Sequence, residues 1–94
     1  MPKKENNEIN KLYKAIISLK TESECAAFLD DICTIQELEA LAQRFEVACR
    51  LDEGKSYNDI NKETGASTAT ICRVSKCLNY GDGGYKTAIE RIKE

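Results

Sequence analysis

The stretch that decides the fold is residues 56–78, SYNDINKETGASTATICRVSKCL. It predicts two short helices joined by a tight turn at residues 64–67, in which Gly65 can adopt the positive φ that such a turn needs. Ser67 can cap the second helix through its hydroxyl group. The apolar residues that would lock the two helices together are Ile60 on the first and Ile71, Val74 and Leu78 on the second. These features are typical of a helix-turn-helix.

The polar face of the second predicted helix suits the major groove of DNA. At about 100° per residue, the side opposite the apolar residues carries Ala69, Cys72, Arg73 and Lys76, flanked by Thr68 and Thr70. Small residues near the helix N-terminus let the backbone approach base edges, and the basic residues further along can reach phosphates or guanine. The alternative is a surface hairpin with a solvated polar face, although such faces usually carry more Glu–Lys pairs four residues apart.

The rest of the chain predicts further helices and no strands. Apolar residues recur at helical spacing through residues 9–19, 25–32, 35–49 and 85–92. Capping-box sequences begin three of the predicted helices, at Thr21–Glu24, Thr34–Glu37 and Ser56–Asp59. Gly54 ends the longest helix, and residues 79–84 form a loop by composition. We therefore predict an all-α fold of about six helices in one domain over residues 1–94, with residues 1–6 as a flexible arm.

Charge is unevenly distributed along the chain, which has a net charge of −2. Residues 1–20 carry five basic and two acidic side chains, residues 21–53 carry two and nine, and residues 54–78 carry four and two. The predicted helix-turn-helix is therefore locally basic. Because salt screens charges beyond about 10 Å, this local charge governs phosphate contacts, and the acidic total does not exclude a nucleic-acid partner.

Composition argues against several other classes of protein. The chain has no His, which is the commonest general base and metal ligand, and its five cysteines contain no C-x-x-C pair. We therefore predict free thiols, no metal site and no enzymatic activity, since no set of carboxylates and nucleophiles converges in the sequence. No apolar run approaches about 20 residues, and the N-terminus lacks the apolar core of a signal peptide. We expect a cytoplasmic protein with no membrane partner.

Several segments together resemble the Trp repressor superfamily, and most closely its Trp-repressor-like branch known as YerC/YecD. The resemblance lies in residues 34–41 (TIQELEAL), Gln43-Arg44, Leu51 with Gly54, and residues 65–71 (GASTATI) with Arg73, Ser75 and Leu78. These residues span about half of the chain. Residues 73–81, RVSKCLNYG, resemble the way in which the second helix of the motif ends in that branch.

The resemblance implies an intertwined homodimer, in which the N-terminal helices of each chain wrap around the other. Such a dimer would cover the broad apolar faces of the first two predicted helices. The resemblance also implies that residues 66–76 enter the major groove, with backbone contacts from around Tyr57, although Tyr57 could equally pack beside Ile60. The residues predicted to contact DNA are Asn58, Asn61, Ser67, Thr68, Ala69, Thr70, Cys72, Arg73 and Lys76. Asn61 departs from the alanine that many such motifs carry there.

Members of the family that sense tryptophan hold it between the long helix and the second helix of the motif. The resemblance places a possible effector pocket at Thr34, Arg44, Thr70, Arg73, Val74 and Cys77. Val74 stands where the family glycine leaves room for the indole ring, and Cys77 replaces a nearby serine. Because a valine side chain would overpack a slot for a flat ligand, we predict that tryptophan is not the corepressor. No other cofactor is predicted, and a different small-molecule effector stays open.

Two functions from different classes are compatible with the sequence. The first is a DNA-binding transcriptional regulator, a repressor, that acts as a homodimer on double-stranded DNA. The second is a helical protein-interaction module that is accessory to transcription and does not read DNA. Retention of duplex DNA over a range of salt concentrations separates the two.

Overall fold

Six helices form within the described part of the chain, and four of them begin at side-chain caps that the sequence predicts, which are Thr21, Thr34, Ser56 and Ser67. The computed structural model describes residues 6–93, with α1 over Asn7–Ser18, α2 over Glu22–Ile32, α3 over Ile35–Asp52, α4 over Tyr57–Thr64, α5 over Thr68–Tyr80 and α6 over Gly84–Ile92. No strand occurs among these residues. The predicted all-α fold of about six helices is therefore confirmed.

The helix starts follow the capping chemistry of the sequence. The backbone N–H of Glu37 donates to Thr34 Oγ1 (3.0 Å), and the N–H of Thr34 donates to Glu37 Oε1 (2.8 Å), which is a complete capping box. The N–H of Glu24 donates to Thr21 Oγ1 (3.0 Å) in the same way. Asn6, which the sequence places in the arm, caps α1 by accepting from the N–H of Glu8 and of Ile9. The remainder of the predicted arm, residues 1–5, lies outside the described residues.

The chain divides into two units, residues 1–38 and residues 39–94. The first contains α1 and α2, and neither helix has a buried residue. On α1 the apolar side chains Ile9, Leu12, Tyr13 and Ile16 are all exposed. Helix α3 begins in the first unit and continues into the second. The prediction of a single domain over residues 1–94 stays a prediction.

The second unit has the buried core. Val47 and Ala48 from α3, Ile60 from α4 and Ile89 from α6 are buried together with three residues of α5, which are Ile71, Val74 and Leu78. The turn residue Ala66 belongs to the same cluster. Within residues 6–93, no helix is both long and apolar enough to cross a membrane.

Candidate nucleic-acid interface

The turn between α4 and α5 is fixed by its own side chains. Gly65 adopts φ 76°, in the left-handed region that glycine tolerates, and its N–H donates to Asn61 O (2.9 Å). The Asn61 amide Nδ2 donates to Ala66 O (2.7 Å), across the turn. Thr64 Oγ1 donates to Ile60 O (2.7 Å) and accepts from the N–H of Ala66 (3.1 Å). The departure from alanine at Asn61 therefore has a local physical reason, because its amide closes the turn.

The inner face of the helix-turn-helix is locked as the sequence predicts. Ile60 and Ile71 have no solvent exposure, and Val74 is only 1% exposed. They lie in one cluster with Val47 and Ala48 of α3. Burying side chains of this size contributes about 1.5–3 kcal/mol each, so the crossing of α4 and α5 is held by the core rather than by the turn alone.

The start of α5 is organised by Ser67. Its Oγ accepts a hydrogen bond from the N–H of Thr70 (3.1 Å) and donates one to Thr70 Oγ1 (3.1 Å). Ser67 therefore caps the helix as predicted. Thr70 is half-buried and its hydroxyl is engaged in this cap, whereas Thr68 and Ala69 beside it are exposed.

The outer face of α5 is fully open to solvent in this chain. Exposed residues on it are Thr68, Ala69, Cys72, Arg73 and Lys76, and Asn58 and Asn61 on α4 are exposed as well. The arrangement leaves small side chains beside the helix N-terminus, and the cations of Arg73 and Lys76 lie about one and two turns further along. It thus has the steric and electrostatic properties that contact with a groove and its phosphates requires.

A charged cluster at the end of α4 is not anticipated from the sequence. Arg50 of α3 donates through Nε to Glu46 Oε2 (2.8 Å) and through Nη1 to Glu63 Oε1 of α4. Lys55 Nζ, in the connection between these helices, lies 3.7 Å from Glu63 Oε2. The hydrogen bond that Arg50 donates to Glu46, assisted by the charge of Glu63, raises the pKa of the Arg50 guanidinium above its ordinary value. We call these four side chains the α3–α4 charge cluster.

A second polar contact joins the same two helices. Gln43 Nε2 donates to the backbone carbonyl of Thr64 (3.3 Å), at the last residue of α4. Both contacts therefore hold the end of α4 that leads into the turn.

An open groove of about 410 Å³ lies beside the C-terminal end of α5. Phe45, Cys77, Tyr85 and Ala88 line it, together with the loop around Gly81. Among the predicted effector residues, Cys77 contributes to this lining. Val74 is instead buried in the core, Arg44 and Arg73 are exposed, and Thr34 caps α3 within the first unit.

Comparisons with known proteins agree with this architecture. The family model of the Trp repressor proteins matches residues 7–93. The chain is 55% identical to YerC of Bacillus subtilis over 87 residues, and the matched segment covers 93% of this chain and 84% of YerC. YerC is described as uncharacterized. The crystal structure of a TrpR-like protein from Eubacterium eligens is similar at a TM-score of 0.90 and 48% identity, covering 95% of this chain and 92% of that one. A candidate Trp repressor from Staphylococcus aureus has the same TM-score at 38% identity, covering 95% and 89% of the two chains.

Proposed function

Because the chain belongs to the Trp repressor family, we propose that it is a sequence-specific DNA-binding regulator of transcription, a repressor rather than an enzyme, which acts as a homodimer. The observation that carries this proposal is that α5 has one buried side and one exposed side. Its inner residues are buried in the core of the second unit, while its outer residues are exposed. A helix held in this way can present one rigid face to a groove.

The proposed interface divides into residues near base edges and residues near phosphates. Thr68, Ala69 and Cys72 are short and exposed, so α5 can approach the bases closely. Arg73 and Lys76 supply the charge that phosphate contacts need, and Asn58 extends the interface onto α4. Asn61, Ser67 and Thr70 complete the predicted set, and all three also stabilise the motif through their hydrogen bonds.

The exposed apolar surface supports the homodimer. The apolar residues of α1 lie exposed, and the groove beside Cys77 and Tyr85 is open. A segment of about 40 residues or fewer seldom folds stably without support from elsewhere. A second copy of the chain would cover both surfaces. It would also place two recognition helices at half-sites about 34 Å apart, which is the general spacing for dimeric helix-turn-helix proteins, the Trp repressor among them. Since the relatives named above are bacterial, such a regulator would meet its DNA in the cytoplasm.

We also propose that tryptophan is not the corepressor of this regulator. Val74 is 1% exposed and packs in the same cluster as Val47 and Ala48, so its side chain is part of the core that supports α5. This supports a recognition helix that is held in place without a ligand. Isothermal titration of the protein with tryptophan should show no tight binding, and a micromolar dissociation constant would contradict the proposal.

Selection of bound duplexes from a random library tests the function directly. We expect the protein to enrich an inverted repeat, with half-sites separated by about one helical turn. Retention of random duplex DNA should fall steeply as salt rises, because phosphate contacts release counterions. A protein-interaction module would retain no DNA at any salt concentration and would enrich no sequence, and that result would overturn the proposal.

A further inference from the structure

The α3–α4 charge cluster joins two helices through a single guanidinium group. Arg50 uses Nε for a carboxylate of its own helix, Glu46, and Nη1 for Glu63 in the last turn of α4. A guanidinium is planar and its donors are fixed relative to one another. Two carboxylates bound to one such group are therefore held at a defined angle to each other. A lysine ammonium could not impose that angle.

The cluster acts at the point where α4 leads into the turn. Gln43 precedes Arg50 by two helical turns, so both side chains leave the same face of α3. Gln43 donates to Thr64 O, and Arg50 binds Glu63. The next residue, Gly65, is the left-handed turn residue from which α5 departs. A shift of this end of α4 on α3 would therefore shift α5.

The cluster is better suited to set a position than to stabilise the fold. Arg50 and Glu63 are partly exposed, and exposed ion pairs contribute little to stability. The second unit already has an apolar core that joins α3, α4 and α5. Cores of this kind resist separation of the helices, whereas a fixed polar bridge adds a preferred angle between them.

We propose that Arg50 and Glu63 are positioning residues, which fix the pose of α4 and α5 on α3 and thereby set the half-site spacing that the homodimer recognises. This inference rests on the proposed function, because spacing has meaning only if two recognition helices bind one duplex. Neither residue needs to touch DNA for this role.

The test measures affinity for duplexes of different spacing. The selected inverted repeat is compared with versions in which the half-sites are one base pair closer or further apart. Wild type is compared with Arg50→Gln, Glu63→Gln, the double variant and Arg50→Lys. The control is the variant with both Asp52→Asn and Lys93→Gln, because that exposed ion pair (3.2 Å) joins α3 to the residue after α6 and does not involve α4.

We expect Arg50→Gln and Glu63→Gln each to weaken binding at the selected spacing about threefold to tenfold, with little loss at the altered spacings. The double variant should lose no more than either single variant, since both remove the same contact. Arg50→Lys should be intermediate, and the control should match wild type. The salt dependence of affinity should be unchanged in all of them, and thermal unfolding should confirm that each is folded.

Two results would overturn the inference while leaving the proposed function intact. One is wild-type affinity and spacing preference in all the variants. The other is equal loss at every spacing with a shallower salt dependence, which would make Arg50 a phosphate contact. Failure of wild type to enrich any duplex would instead overturn the proposed function, and this inference with it.

Discussion

The helices before residue 38 and those after it differ in how their apolar side chains are covered. On α1, Ile16 is 46% exposed and Tyr13 is 57% exposed, and no residue of α1 or α2 is buried. After residue 38, Ile60 and Ile71 are fully buried. The second unit thus buries apolar residues within one chain, and the helices of the first do not. The second unit therefore has its own core, whereas the apolar side chains of α1 stay exposed, and in the proposed homodimer a second copy would cover them.

The largest expected effect follows from placing a charge on the apolar face of α1. Ile16→Asp should convert the homodimer into a monomer, because an aspartate cannot be buried against the partner without a large cost. Binding to the selected inverted repeat should weaken by about 100-fold or more, since the two half-sites would no longer be bound together. Analytical ultracentrifugation gives the mass, and fluorescence anisotropy gives the affinity.

The control for this prediction is Lys11→Asp, which places the same residue on the polar side of α1. It should leave the mass of the assembly unchanged. If Ile16→Asp also leaves the mass and the affinity unchanged, the exposed face of α1 is not the dimer surface.

The next expected effect is on the stability of the second unit. Ile71→Ala should lower the free energy of unfolding by about 2–5 kcal/mol, through lost burial and the cavity left behind. Urea denaturation followed by circular dichroism measures the change. Ile92→Ala, which removes the same atoms from a side chain that is 66% exposed, should change it by less than about 0.5 kcal/mol. Equal losses in the two variants would show that Ile71 is not part of a buried core.

The hydrogen bond across the turn should contribute less than the core. Asn61→Ala removes the donor to Ala66 O and should destabilise the protein by about 1 kcal/mol. Asn58→Ala is the matched control, because it makes the same substitution at an exposed position of α4. Chemical denaturation of both variants measures the difference between them, and no difference would mean that the amide of Asn61 does not hold the turn.

The smallest effect concerns thiol reactivity. Burial raises the pKa of the Cys49 thiol above its ordinary value of 9.0, and the nearby carboxylates of Glu46 and Glu53 raise it further. Alkylation of Cys49 at neutral pH should therefore be several-fold slower than that of the exposed Cys72. The rate at Cys49 should therefore still be increasing at pH values above that ordinary value, because the thiolate fraction levels off only above the raised pKa. Mass spectrometry of peptides labelled for increasing times measures both rates.

Cysteine labelling also sharpens the comparison of the two units. Cys25 is exposed on α2 of one chain, and in the proposed dimer it should be protected only at protein concentrations that favour assembly. Protection of Cys49 should not depend on concentration. A concentration-independent rate at both cysteines would contradict the assignment of the first unit to the dimer surface.

Local signals in the sequence predict the fold well. The capping box at Thr34 and Glu37, the serine caps and the left-handed glycine at Gly65 involve residues that are close along the chain, and such contacts can be recognised from spacing alone. The buried face of α5 follows from helical periodicity in the same way. The all-α architecture is therefore predictable from these local patterns.

Contacts between distant residues are not predictable in this way. The bridge from Gln43 to Thr64 spans 21 residues and the pair of Arg50 and Glu63 spans 13, so both depend on how α3 and α4 pack. The groove at Phe45 and Cys77 is likewise formed by separate helices. Asn61 stands out in the sequence as a departure from pattern, but only the folded turn shows that its partner is Ala66 O.

In the proposed function the outer face of α5 binds DNA, and the salt dependence of DNA binding tests this most directly. Affinity for the selected duplex is measured at increasing salt for wild type, Arg73→Ala, Lys76→Ala and the control Lys86→Ala, whose lysine lies on α6. Each α5 variant should bind more weakly and should lower the slope of log affinity against log salt by about one for each phosphate contact removed, and thus by about two in a homodimer. The control should retain the wild-type slope. Unchanged affinity and slope in both α5 variants would contradict the claim.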